Sequence, residues 1–262
     1  MKDDTAIARL IEIMRRLRDP QAGCPWDREQ TFETIVPYTI EEAYEVADTV
    51  DRRDYQALRG ELGDLLFQVV FHSRLAEERG YFQFADVANA ISDKLVERHP
   101  HVFAGARFAT SQDQNAAWER QKADEKAARG QGALDDVPLT LPALKRAEKL
   151  GKRAAAVGFD WPDASGARTA IAGELCELDV AIGAHGSSAA MFDELGDVLF
   201  SVVNLARHLG VDPEEALRAG NRKFAARFQA VERAMKERGK SVAQGTAEEL
   251  DELWRRAKET VP

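Results

Sequence analysis

A seven-residue stretch occurs twice, as Glu61-Leu62-Gly63-Asp64-Leu65-Leu66-Phe67 and as Glu194-Leu195-Gly196-Asp197-Val198-Leu199-Phe200, 133 residues apart. Internal self-similarity constrains a fold more than any single motif, because each copy must be one supersecondary unit. The acids in each copy are three residues apart, so on a helix they share a face. The residues behind them, Leu65 to Phe71 and Val198 to Val203, are nearly apolar all round, as expected of a helix buried on most sides.

Other landmarks repeat in the same order. Gly158-Phe159-Asp160-Trp161 answers Gly23-Cys24-Pro25-Trp26, and Glu174 and Glu177 answer Glu42 and Glu45. Lys223 and Arg227 answer Lys94 and Arg98, and Trp254 and Lys258 answer Trp118 and Lys122. The chain therefore reads as a duplicated all-helical unit: residues 1–128, a Gly- and Pro-punctuated linker at 129–142, and residues 143–262.

Helical periodicity covers Thr5 to Leu17 and stops at Asp19-Pro20. A second helix leads from Trp26 through Thr31, and Pro37 is expected to interrupt it. Thr39 to Val50 then resumes, with Thr39 and Glu42 at capping-box spacing. Tyr55 to Arg79 carries the first acidic motif and ends at Gly80, and Phe84 to Arg98 precedes a stop at Pro100. Phe103 to Thr110 reads as irregular, and Ser111 to Ala128 reads as a polar helix bearing Trp118 and Lys122.

Glu42 and Glu45 on one helix, Glu61 and Asp64 on the next, and a short turn between them allow four carboxylates to converge. Such a cluster repels itself unless neutralised, and hard oxygen ligands suit Mg²⁺ or Mn²⁺. A lone Glu-x-x-Asp reads as a wet helix face. A second pair at the right separation, and a repeat of the whole arrangement, reverse that preference. Glu41 either orients water at the metal or is simply exposed. His99 and His101 flank Pro100 without a matching ligand pair, so a zinc site is not indicated.

The paired cations at 94/98, 122, 223/227 and 258 suit phosphate oxygens or form surface ion pairs. The indoles of Trp118, Trp254, Trp26 and Trp161 either stack on a base or cover the bundle. Metal, cations and indole together suggest a nucleotide polyphosphate. There is no Gly-x-x-x-x-Gly-Lys-[Ser/Thr] loop, which excludes a P-loop enzyme. Cys24 has no counterpart in the second half and reads as packing.

The net charge of −9 argues against a surface for duplex nucleic acid or anionic membrane. Two cysteines imply no disulfide framework, and no apolar run approaches a membrane span or a signal-peptide core. A cytoplasmic protein is expected.

Gly-Cys-Pro-Trp-Asp at 23–27, Glu-Glu-x-x-Glu at 41–45, Glu-Leu-Gly-Asp at 61–64 and His-Pro-His-Val-Phe at 99–103 resemble the MazG family of tandem-domain nucleoside triphosphate pyrophosphohydrolases. The resemblance spans both halves. It implies an all-α NTP pyrophosphatase fold, a homodimer, and Mg²⁺-dependent hydrolysis of (d)NTPs to the monophosphate and pyrophosphate in nucleotide-pool house-cleaning.

Carried over, Glu42, Glu45, Glu61 and Asp64 hold metal in the first half, and Glu174, Glu177, Glu194 and Asp197 in the second. Lys223, Arg227, Trp254 and Lys258 serve the nucleotide, with Lys94, Arg98, Trp118 and Lys122 as first-half counterparts. The implied catalytic set is Glu41, Glu42, Glu174, Lys223 and Arg227. The second half departs from the pattern at Gly173, where the leading acid is lost. Two rivals stand beside this reading: a regulatory or interaction module that binds nucleotide without turnover, and a relative specific for one pyrimidine nucleotide or for phosphoribosyl-ATP.

Overall fold

The computed structural model describes residues 2–105, 110, 132–183 and 187–261, with side chains from residue 5 onward. Among these residues all regular structure is helical, and the chain falls into two compact units, residues 1–109 and 110–262. The polar helix expected at 111–128, with Trp118 and Lys122, lies outside the described residues.

The first unit contains α1 (Lys2–Leu17), α2 (Pro25–Glu29), α3 (Phe32–Asp51), α4 (Tyr55–Glu78), α5 (Phe84–Arg98) and the short α6 (Pro100–Phe103). Its core is built by α1, α3 and α4, where Met14, Ile35, Val70, Phe71 and Leu75 are at most 2 % exposed. Gly23 makes the return from α1 to α2 possible. A Cβ there would lie 2.4 Å from the Leu17 carbonyl oxygen, which accepts from the Cys24 amide at 2.8 Å.

Pro37 does not interrupt the chain: α3 runs through it, and its N-cap is Thr31, whose capping box is completed by Thr34. A proline costs a helix one backbone bond and a clash with the carbonyl four residues earlier. Here both fall at Glu33 in the first turn, and Ile35 beside it is buried in the core. Thr39, inside the helix, directs its hydroxyl to the Ile35 carbonyl at 3.2 Å and to His72 on α4 at 3.1 Å. Pro100 ends α5 as expected and then occupies the first turn of α6, where its missing N–H has no consequence.

The second unit contains α7 (Ala143–Ala156), α8 (Ala164–Gly183), α9 (Ser188–His208), α10 (Pro213–Glu237), a 3-10 turn at Val242–Gln244 and α11 (Ala247–Thr260). Antiparallel α8 and α9 repeat the α3–α4 pair. The main core lies elsewhere, between α10 and α11, in Val231, Met235, Leu253 and Ala257. On α9 only Val203 is fully buried, while Leu195, Leu199, Phe200 and Val202 are 43–52 % exposed. The expectation of a helix buried on most sides therefore fails for α9 within this single chain. The segment preceding α7 is packed rather than loose, since Val137 is 5 % exposed and Asp136 pairs with Arg153 at 3.2 Å.

The buried Arg18 and Glu148 are both in ion pairs. Arg18 contacts Glu78 at 2.7 Å and donates to the backbone carbonyls of Asp27 and Gln30, tying α1 and the α2 turn to the end of α4. Burial pushes the Glu78 carboxyl up, but Arg18 and Arg74 outweigh it and hold it below the usual range. A carboxylate lowered in this way contributes stability at neutral pH and loses it as pH falls through its folded-state pKa. Glu78→Gln is expected to cost about 1–3 kcal/mol at neutral pH in urea unfolding, and the gap from the unsubstituted protein should close as the pH falls through the acidic range.

Candidate metal centre

Each unit presents its acids from one antiparallel helix pair. In the first, α3 supplies Glu42 and Glu45 and α4 supplies Glu61 and Asp64. Ligand oxygens of Glu42, Glu45 and Glu61 all lie within 4.8 Å of one another. In the second, α8 supplies Glu174 and Glu177 and α9 supplies Glu194 and Asp197, and Glu174, Glu194 and Asp197 meet the same limit. The helix turn of three residues puts each acid pair on one face, and the apolar contacts of α3 with α4 fix the spacing across the pair.

The remaining acid of each set stands at the edge of its triad. Asp64 acts on Glu42 and Glu61, and Glu177 acts on Glu174. Partial burial pushes the Glu42 carboxyl up, and repulsion from Asp64, Glu45, Glu41 and Glu61 adds to it. Glu61 is likewise raised by burial, then by Glu45 and Asp64 and by a hydrogen bond shared with Glu45, while Arg52 pulls weakly the other way. Glu174 is raised by burial first, then by Glu177, Asp197 and Glu194.

Each cluster has two half-buried carboxylates and one exposed one, and the neighbouring acids disfavour ionisation of Glu42, Glu61 and Glu174, which makes each a donor set for a hard divalent cation. The ligands are all oxygen, with no histidine or cysteine in either cluster, which suits Mg²⁺ or Mn²⁺ over zinc. The residues present therefore fit the metal that the motif implies.

The expected nucleotide residues occupy other elements. Lys223 and Arg227 are one turn apart on α10, where Lys223 is exposed and Arg227 donates through Nε to the Val261 carbonyl at 3.0 Å. Trp254 on α11 packs against the α10–α11 core with its ring 5.3 Å from Phe224, and Lys258 Nζ lies 6.0 Å from that ring. Lys94 is exposed on α5 beside Phe82 and Ile91, and Arg98 ends that helix. Glu41 is exposed on α3 next to Glu42, and its second-unit counterpart position is Gly173.

Sequence reasoning passed over one feature of the second unit. Asp160 accepts from the Arg207 guanidinium and stands 3.0 Å from His208 Nε2, which pins the Gly158–Trp161 loop onto the end of α9. Its only sequence signal is the repeated loop motif itself, because the partners are nearly 50 residues away.

Among the described residues, paired helices carrying duplicated carboxylate clusters define a helical protein with two candidate cation sites. The family model "MazG nucleotide pyrophosphohydrolase domain" matches residues 30–103 and 165–231, and the chain belongs to that family. The nucleoside triphosphate pyrophosphohydrolase of Escherichia coli K12 is 50 % identical over 254 residues, covering 96 % of this chain and 97 % of that protein. The Thermotoga maritima protein named nucleoside triphosphate pyrophosphohydrolase/pyrophosphatase MazG is 43 % identical over 249 residues, covering 95 % and 94 %. The Bacillus subtilis protein YabN, named uncharacterized, is 43 % identical over 95 % of this chain and 50 % of its own length.

Metal and protons compete for the same oxygens, so the raised carboxyls give a pH test. Mg²⁺ or Mn²⁺ should raise the melting temperature at neutral pH, and that gain should shrink as the pH falls and Glu42, Glu61 and Glu174 protonate. Without metal, Glu42→Gln should melt higher than the unsubstituted protein at neutral pH, since it removes a self-repelling charge. Differential scanning fluorimetry across pH measures both.

Proposed function

We propose that this chain hydrolyses nucleoside triphosphates between the α- and β-phosphates, consuming one water and releasing the nucleoside monophosphate and pyrophosphate. The observation that carries the reading is the duplicated cluster of three carboxylates within 4.8 Å, in a chain half identical to a protein named for this activity. Bound Mg²⁺ or Mn²⁺ would neutralise phosphate charge and lower the pKa of a water, and Glu42, Glu45, Glu61 and Asp64, or Glu174, Glu177, Glu194 and Asp197, would hold it.

The chain's own residues supply the rest. Lys223 and Arg227 direct two positive charges from one face of α10, which favours an electron-rich triphosphate and stabilises charge on the leaving pyrophosphate. Trp254 and Lys258 extend that set onto α11. In the first unit, Glu41 is a solvent-facing carboxylate able to orient the attacking water and take its proton. At Gly173 that group is missing, so the two units divide the work unequally.

We also propose a homodimer. Phe192, Leu195, Leu199 and Val202 expose an apolar stripe on α9, and Leu175 and Val180 are exposed on α8, more than an isolated surface normally leaves uncovered. Among the described residues no helix is long and apolar enough to cross a membrane, and two free cysteines agree with a cytoplasmic, reducing setting.

Incubation with Mg²⁺ and each NTP should yield monophosphate and pyrophosphate. Asp197→Asn is expected to lower pyrophosphate release about 100-fold. An unchanged rate in Asp197→Asn with loss in Asp64→Asn would move turnover to the first unit, and nucleotide binding with no product in the unsubstituted protein would establish the regulatory module instead. Light scattering should return twice the 29.1 kDa chain mass.

A further inference from the structure

The two units differ at a position of the repeat that lies behind the acids. The 133-residue register pairs Phe71 on α4 with Asn204 on α9. In the first unit the Phe71 ring is fully buried, packed with Met14 of α1 and edge-on to Phe67 at 5.8 Å. In the second unit an amide takes its place, and α7 sets the small residues Gly151 and Ala154 against it. A cavity of about 490 Å³ opens there, walled by Phe159, Trp161 and Phe200.

The cavity is built rather than incidental. Arg207 donates to Asp160 and, from Nε and a terminal nitrogen, to Asn204 Oδ1 at 3.0 and 2.8 Å. Asp160 also accepts from the Trp161 amide at 2.9 Å, which fixes the aromatic loop. A Cβ on Gly166 would come within 3.0 Å of the Trp161 indole, so one face of that ring lies on the first turn of α8. The side chain is still 48 % exposed, leaving ring surface for a ligand.

We propose that this cavity receives the nucleobase of the substrate and that Asn204 helps select it; the proposal rests on the reading of the chain as a nucleoside triphosphate enzyme. Aromatic walls suit a planar heterocycle, whose faces stack regardless of sequence identity. Asn204 Oδ1 is occupied by Arg207, so its amide nitrogen has donor capacity left for a ring nitrogen or carbonyl of the base.

Position agrees with chemistry. Asn204 follows Asp197 by seven residues, about 10 Å along α9 and within about 20° of it around the helix axis, and Phe200 stands one turn from the same acid. A base at Asn204 therefore places the ribose alongside Phe200 and the α-phosphate at the carboxylates. The volume falls in the range of small-ligand sites.

The test restores the first unit's plug with Asn204→Phe and removes one wall with Phe159→Ala, a residue 82 % exposed and so tolerant of truncation. For both, KM for nucleoside triphosphates should rise roughly fivefold to 100-fold with kcat within about threefold, and the metal-induced shift in melting temperature should stay unchanged. Calorimetric titration with nucleoside monophosphate and Mg²⁺ should show a matching loss of affinity. If Asn204→Phe fails to fold, Phe159→Ala decides by the same readouts. Unchanged KM and unchanged monophosphate affinity would overturn the proposal, as would loss of kcat alone. Should the unsubstituted protein release no pyrophosphate, the hydrolase reading fails by itself: weaker monophosphate binding in the variants still supports the pocket, and equal or absent binding overturns it.

Discussion

Repulsion among carboxylates held on paired helices is the constraint around which both units are arranged. The apolar faces of α3 and α4 bring Glu42, Glu45 and Glu61 together, so core packing stabilises a cluster that electrostatics opposes. Such an arrangement lowers the stability of the metal-free protein, since the raised carboxyls at Glu42, Glu61 and Glu174 must ionise against their neighbours. Buried charges elsewhere show the contrast. Burial pushes the Glu148 carboxyl up, but Lys145 and Lys152 outweigh it and hold it below the usual range, and Glu78 is held down likewise by Arg18 and Arg74. The acids at Glu42, Glu61 and Glu174 shift the opposite way.

The same helix pair serves two settings. In the first unit α1 seals α4, and Phe71 with Met14 fills the space behind the acids. In the second, α9 has a hollow behind the acids at Asn204 and an uncovered apolar stripe on its outer face. A unit that leaves both uncovered is suited to receiving a ligand and a partner, whereas one that fills its interior is suited to holding shape. Loss of the leading acid at Gly173 adds a third difference between the copies.

Much of this was legible in the sequence. The duplicated Glu-Leu-Gly-Asp, with Glu-x-x-Glu one helix earlier, placed the clusters, because helical periodicity and a short turn leave little freedom. Phe84–Arg98 was bounded by Gly80 and Pro100. What escaped depended on tertiary context. Pro37 read as a break, yet the capping box at Thr31 and burial of Ile35 carry α3 across it. Arg18 with Glu78 and Arg207 with Asp160 join residues about 50 to 60 positions apart, beyond any local pattern. Exposure of α9 was invisible because an apolar run reads alike whether its cover comes from its own chain or from another. The Phe71/Asn204 exchange was readable in the repeat register, but it acquires meaning only with the cavity beside it.

Both carboxylate clusters are proposed as divalent-cation sites. A Mn²⁺ titration followed by electron paramagnetic resonance tests this without reference to turnover, on the unsubstituted chain and on one carrying both Glu61→Gln and Glu194→Gln. The unsubstituted chain should remove free Mn²⁺ signal, Mg²⁺ should compete for the same sites, and the double substitution should abolish the uptake. Equal Mn²⁺ uptake by both chains would contradict the assignment.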